Sequence, residues 1–205
     1  MIRRYRFLVL CLLFVAFFLW GCPKRPPEVR PPERIPGDHP IAKLLNAFSA
    51  AESLQSRTTI RVDTVRKGEK MSFLLNGYLF YQKPDQLRLL GYHPMGMGIF
   101  DALYREGQFF LLIPFQKRAY VGEISEFKET IENSGPIEVY SEKPEGSEIP
   151  NAIEIHVLEK ETSIEIRLKE TSVNSSLPGD SFEWTIPEGV EVRPLAQILK
   201  RKSLR

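Results

Sequence analysis

Residues 71–81 read MSFLLNGYLFY, and how this stretch is read decides the fold. In an extended chain Phe73, Leu75, Leu79 and Tyr81 fall on one side, and Leu74, Tyr78 and Phe80 on the other. A strand that is apolar on both sides needs cover on both faces, or it lines something other than water. Residues 109–115, FFLLIPF, pose the same question. A sheet that curls round a hydrophobic hollow satisfies the pattern, and so does plain burial between two layers. Periodicity leaves both open.

Further along the chain the pattern is simpler. In SIEIRLKE, Ile164, Ile166 and Leu168 alternate with Glu165, Arg167 and Lys169, and in AIEIHVLEK, Ile153, Ile155 and Val157 stand opposite Glu154 and His156. These are strands with one dry and one wet face. TTIRVDTVRK turns at KGEK into the opening stretch, PDQ leads into LRLLGY, and a hairpin follows at Glu106-Gly107. DSFEWTIPEGVEV is expected to complete the sheet. Many strands joined by short turns imply a mainly β fold with an antiparallel sheet or barrel. Ile41, Leu44, Leu45, Phe48, Ala51 and Leu54 recur at helical spacing, so a helix is expected over 41–56, and SEFKETIEN, 125–133, reads as a second.

One loop breaks the rule that turns are polar. HPMGMGIF, residues 93–100, places Met95 and Met97 where the backbone meets solvent. Either the loop folds back over the sheet's rim, or its flexible side chains meet an apolar surface.

The N-terminus carries Arg3, Arg4 and Arg6 before fourteen apolar residues, FLVLCLLFVAFFLW. That run suits an export signal and is short for a membrane span, which takes about 20 residues. Leu19-Trp20-Gly21-Cys22 resembles the lipobox of bacterial lipoproteins, with Trp20 atypical. The expectation is cleavage before Cys22 and acylation of its thiol; the alternative is an uncleaved short anchor. Cys11 would leave with the signal, so Cys22 would have no disulfide partner. Removing the three signal arginines leaves 25 basic and 26 acidic residues, a balance that calls for no nucleic acid. Seven prolines in residues 23–40 make a semi-rigid spacer. The expected organisation is a signal peptide at 1–21, a lipidated cysteine and linker at 22–40, a domain at 41–193 and a basic tail at 194–205.

The order of features in 77–122, GYLFYQKPDQLRLLGYHPMGMGIFDALYREGQFFLLIPFQKRAYVG, resembles the middle of the LolA/LolB-like superfamily, periplasmic carriers and outer-membrane receptors of lipoproteins. The shared features are a strand ending in Lys83-Pro84, a hairpin at Glu106-Gly107, an aromatic strand with an internal proline, and a closing Pro-x-Gly-Val. The resemblance spans roughly 41–193. It implies a curved, unclosed antiparallel half-barrel capped by helices, with an apolar cavity for acyl chains. Phe73, Leu75, Leu79, Tyr81, Leu89, Phe110 and Leu112 are the expected lining. HPMG matches the family's exposed Asn-Pro-Leu-Gly loop, which makes Met95 and Met97 the expected contact with membrane or cargo. Lys83 falls near the lid arginine of the soluble carriers, where lysine lacks the forked geometry.

The resemblance implies an outer-membrane lipoprotein facing the periplasm. Its expected partners are acyl chains or lipoproteins, the membrane through its own anchor, and a periplasmic carrier. The alternative is a membrane-anchored interaction or sensor module whose interior is filled by its own side chains. An enzyme is not expected. His39, His93 and His156 lack metal-ligand spacing, and neither nucleophile elbow nor phosphate loop is present, so no metal or cofactor is called for. The basic tail reads as solvated, or as touching anionic headgroups.

Overall fold

The computed structural model describes residues 32–37, 39–125 and 136–200. Eleven strands form one sheet: β1 (Glu33–Arg34), β2 (Ser53–Arg66), β3 (Glu69–Gln82), β4 (Gln86–Tyr92), β5 (Gly98–Arg105), β6 (Gln108–Ile113), β7 (Arg118–Glu123), β8 (Ile137–Glu142), β9 (Ala152–Val157), β10 (Thr162–Val173) and β11 (Glu191–Pro194). The order across the sheet is β1-β8-β9-β10-β2-β3-β4-β5-β6-β7-β11, so its two edges do not meet. Neighbours are antiparallel except β7 and β11, which run parallel. This is the mainly β, curved and unclosed half-barrel with a helix over it that the sequence leads one to expect.

Turn chemistry sets the longest hairpin. Lys67 and Gly68 adopt φ of 55° and 81°, and β2 and β3 then pair without a break from Arg66↔Glu69 to Ser53↔Gln82. Two consecutive left-handed residues match the twist of a two-residue hairpin. Glu106-Gly107 joins β5 to β6 in the same way.

Cross-strand partners share a face, so the register assigns every side chain. On one face, here the inner, lie Leu54, Tyr81, Leu87 and Tyr104, then Ser56, Leu79, Leu89, Ala102, Leu111 and Tyr120. Ile60, Leu75, Ile166 and Ile153 continue that face on the other side. Helix α1 (Pro40–Ala47) covers one end of it. The His39 ring caps α1 by accepting the Ala42 N–H, and Lys43 Nζ donates to the Ile137 carbonyl at 3.1 Å. The core beneath gathers Ile35, Ala47, Phe48, Ala51, Leu54, Leu79, Tyr81, Leu87, Val139 and Ile153, with the Phe48 and Tyr81 rings 5.7 Å apart.

Three expectations are corrected. The helix ends at Ala47 and not at Ser56, because Phe48 leaves helical geometry (φ −105°, ψ 3°). Leu54 belongs instead to β2, whose Leu54, Ser56, Thr58 and Ile60 all point inward and are buried. Helical and strand spacing both place Ala51 and Leu54 in the core, and only the pairing with β3 separates them. The closing stretch 180–192 is irregular almost throughout; only Glu191–Pro194 is a strand, running parallel to β7. Pro187 lacks a donor and Gly189 takes a φ of 77°, so a regular ladder cannot run through them. Finally, β1 and β8 are strands that the sequence pattern did not single out.

Ile35 falls within the 22–40 segment and Leu195 within the 194–205 segment, and both are buried, so both segments contribute to the folded unit. The signal peptide, Cys22, most of the expected helix 125–133 and the last five residues of the basic tail lie outside the described residues.

Candidate functional site

The inner face continues beyond the core. β3 pairs with β4 only from Asn76 to Gln82, so Glu69–Leu75 extends past the β4–β5 loop. There Val62 lies opposite Phe73 and Thr64 opposite Met71, with Ile164 and then Ile155 beside Val62. Phe73 is 46% exposed, and Val62, Leu75, Ile155 and Ile164 are half-buried.

The seven expected lining residues therefore separate into three environments. Leu79 and Tyr81 are buried under α1, with Leu89 packed against the same core. Leu75 and Phe73 lie on the same face, further out. Phe110 and Leu112 lie on the opposite, outer face, which corrects their grouping with the other five. Phe110 pairs with Leu103 and Val121, and its ring packs 4.9 Å from Trp184. In a stretch that is apolar at every position, parity cannot be read from the residues alone. The register places Phe109, Leu111 and Ile113 of β6 on the inner face.

The β4–β5 loop is held by its own backbone. His93 N–H donates to the Met97 carbonyl at 2.8 Å, Gly96 N–H to the His93 carbonyl at 2.7 Å, and Met95 N–H to His93 Nδ1 at 3.3 Å. Gly96 sits at a φ of 88°, which favours glycine. With the backbone satisfied locally, the side chains project: Met95 is 83% exposed and Met97 63%. The loop does not fold back to bury its methionines.

A second apolar tip escaped the reading of the sequence. The 3₁₀ turn Pro114–Gln116, between β6 and β7, carries Phe115 at 69% exposure. Its signal was the same one that marked the methionine loop: an apolar residue in a turn.

Lys83 lies at the helix-covered end. Its Nζ contacts Glu52 Oε1 at 2.7 Å and its N–H donates to the Glu52 carbonyl, which ties it to the segment joining α1 and β2. That carboxylate raises the Lys83 pKa. The pair is exposed, so its energetic contribution is small.

The outer face is crossed by the irregular 175–190 segment. Arg88 holds it: Nε and Nη2 bind Asp101 at 3.0 and 2.8 Å, while Nη1 donates to the carbonyls of Asp180, Ser181 and Glu183. Arg105 donates to the Phe182 carbonyl. The hydrogen bonds that Arg88 donates to the Asp101 carboxylate raise the Arg88 pKa further above its ordinary value.

Each histidine has a structural partner. His39 caps α1, His93 caps its loop, and His156 pairs with Glu154 on the outer face. Among the described residues no group of three His, Cys, Asp or Glu is placed to hold a metal. What the inner face offers is apolar area, which binds without directional bonds.

A scan against protein families finds no match, and neither does a search of curated proteins. Solved structures similar to the chain include an uncharacterized conserved protein from Thermus thermophilus, at a TM-score of 0.43 and 6% identity over 74% of this chain and 97% of that one. A DUF1329 family protein from Desulfovibrio piger gives 0.42 and 8% identity over 70% and 94%. A LolA superfamily protein from Nitrosomonas europaea gives 0.39 and 8% over 69% and 96%. At these identities and TM-scores the architecture rests on the chain's own strand order and register; the superfamily that the sequence resembles stands among the similar structures.

Proposed function

We propose that this chain is a bacterial envelope lipoprotein that takes acyl chains, of lipids or of lipoproteins, against the open part of its inner face. In this reading it is anchored to the outer membrane through acylated Cys22, faces the periplasm, and receives cargo from a soluble carrier. The Pro-rich stretch between Cys22 and β1 is the spacer, and the Met95–Met97 loop meets the bilayer or the cargo during transfer. The observation that supports it is the inner face running out along β3 through Leu75 to a 46%-exposed Phe73, past Asn76↔Tyr92, where the pairing with β4 ends and the methionine loop begins. Burying one such side chain fully contributes about 1.5–3 kcal/mol, so two methionines suffice for a reversible contact.

Native mass spectrometry of the full chain carrying Cys22→Ser tests the binding, with acyl lipids expected to co-purify. Met95→Glu is expected to leave folding unchanged, since surface substitutions typically shift stability within ~0.5 kcal/mol, and to impair transfer of acyl cargo to vesicles. A chain that carries no lipid and transfers none would favour the alternative, an anchored interaction or sensor module with a filled interior.

A further inference from the structure

We infer that the Pro114–Gln116 turn is a second bilayer-contacting element, with Phe115 inserting beside Met95 and Met97. This rests on the bilayer reading of the methionine loop and adds to it a residue on a different hairpin.

Phe115, Met95 and Met97 are the three most exposed large apolar side chains among the described residues, at 69%, 83% and 63%. The β4–β5 loop and the β6–β7 turn lie at the same end of the sheet, because the antiparallel strands β5 and β6 separate them. They are also adjacent: a Cβ built on Gly98, just after the loop, would stand 3.7 Å from Pro114 Cγ. The three most exposed apolar residues of the described chain thus share one tip.

The shape of that tip selects the occupant. Both turns close their own backbone bonds, with Lys117 N–H donating to the Pro114 carbonyl and Gly96 N–H to the His93 carbonyl. Neither turn offers an unpaired edge for an extended peptide to pair with. The three side chains project from two separate turns, which suits a planar fluid phase better than a shaped partner. An aromatic ring at that level matches the preference of such rings for the membrane interface. Charge agrees with this. Lys117, exposed and held at a φ of 49° immediately after the turn, stands beside Phe115, where it can meet anionic headgroups.

The test uses the full chain with Cys11→Ser and Cys22→Ser, reconstituted into vesicles of phosphatidylcholine with phosphatidylglycerol. An environment-sensitive fluorophore is placed in turn at Phe115→Cys, Met95→Cys and, at the opposite end of the sheet, Glu145→Cys. The expected result is a blue shift and quenching by nitroxide-labelled acyl chains at 115 and 95, at least about threefold stronger than at 145. Quenching at 95 without quenching at 115 overturns this inference and leaves the methionine loop as the contact. Quenching at neither position overturns both readings, and equal quenching at all three overturns the tip as the inserted element.

Discussion

Replacing Arg88 with alanine tests how the outer face is held together. Its guanidinium and the Asp101 carboxylate are only 15% and 14% exposed, and the same guanidinium satisfies three carbonyls of the 180–183 segment. Removing one partner of a buried pair leaves the other charge desolvated, which costs about 3–5 kcal/mol. A domain of ordinary stability has roughly 5–15 kcal/mol in total. At about 2–4 °C per kcal/mol for a chain of this size, the melting temperature should fall by roughly 6–20 °C. Trp184 reports locally, since it belongs to the same 175–190 segment and packs on Phe110. The chain's other tryptophan, Trp20, lies in the expected signal. Urea unfolding followed by tryptophan emission should show the loss of stability, with a red shift in the native baseline as the segment loosens. The double variant Arg88→Met, Asp101→Leu should recover most of the loss, because it leaves no unpaired charge. A loss below about 1 kcal/mol for Arg88→Ala, with unchanged emission, would refute the reasoning.

Gly91 lies directly opposite Phe100 on the inner face, and a Cβ there would stand 2.2 Å from the Phe100 ring. Gly91→Ala should cost about 1–3 kcal/mol by overpacking, and Phe100→Leu in the same chain should relieve it; additive losses in thermal melts would contradict this. Burial raises the hydroxyl pKa of Tyr81, Tyr92 and Tyr104 above the ordinary value of roughly 10. A raised folded value contributes stability that is intact below the unfolded pKa and is lost as pH rises through the folded one. Alkaline titration should therefore show these phenolates forming above the ordinary range, together with loss of the β-sheet circular dichroism. Ionisation of all three at ordinary pKa in a folded chain would count against their burial.

Much of the sheet is legible residue by residue. Ile153, Ile155 and Val157 alternate with charged partners, and the structure pairs them with Ile166, Ile164 and Thr162 on one face, as strict alternation requires. Lys67-Gly68 and Glu106-Gly107 announce their hairpins through the glycine of each pair, which accepts the positive φ the turn requires. The methionine loop is also legible, since apolar residues in a turn stand out against the polar norm. Phe115 carries the same signal, obscured by the proline and by the apolar run before it.

The sequence by itself determined most of the extended segments, where most of the turns fall, and that the middle strands are apolar on both sides. Only the tertiary structure decided which of those sides faces inward. Parity in a strand is relative, so Phe110 and Leu112 take the outer face solely because Leu103 and Asp101 oppose them. The strand assignment of Leu54 and the parallel seat of β11 were likewise decided by partners far along the chain, β3 and β7. Local spacing states what a residue can bury; register against a distant strand states where.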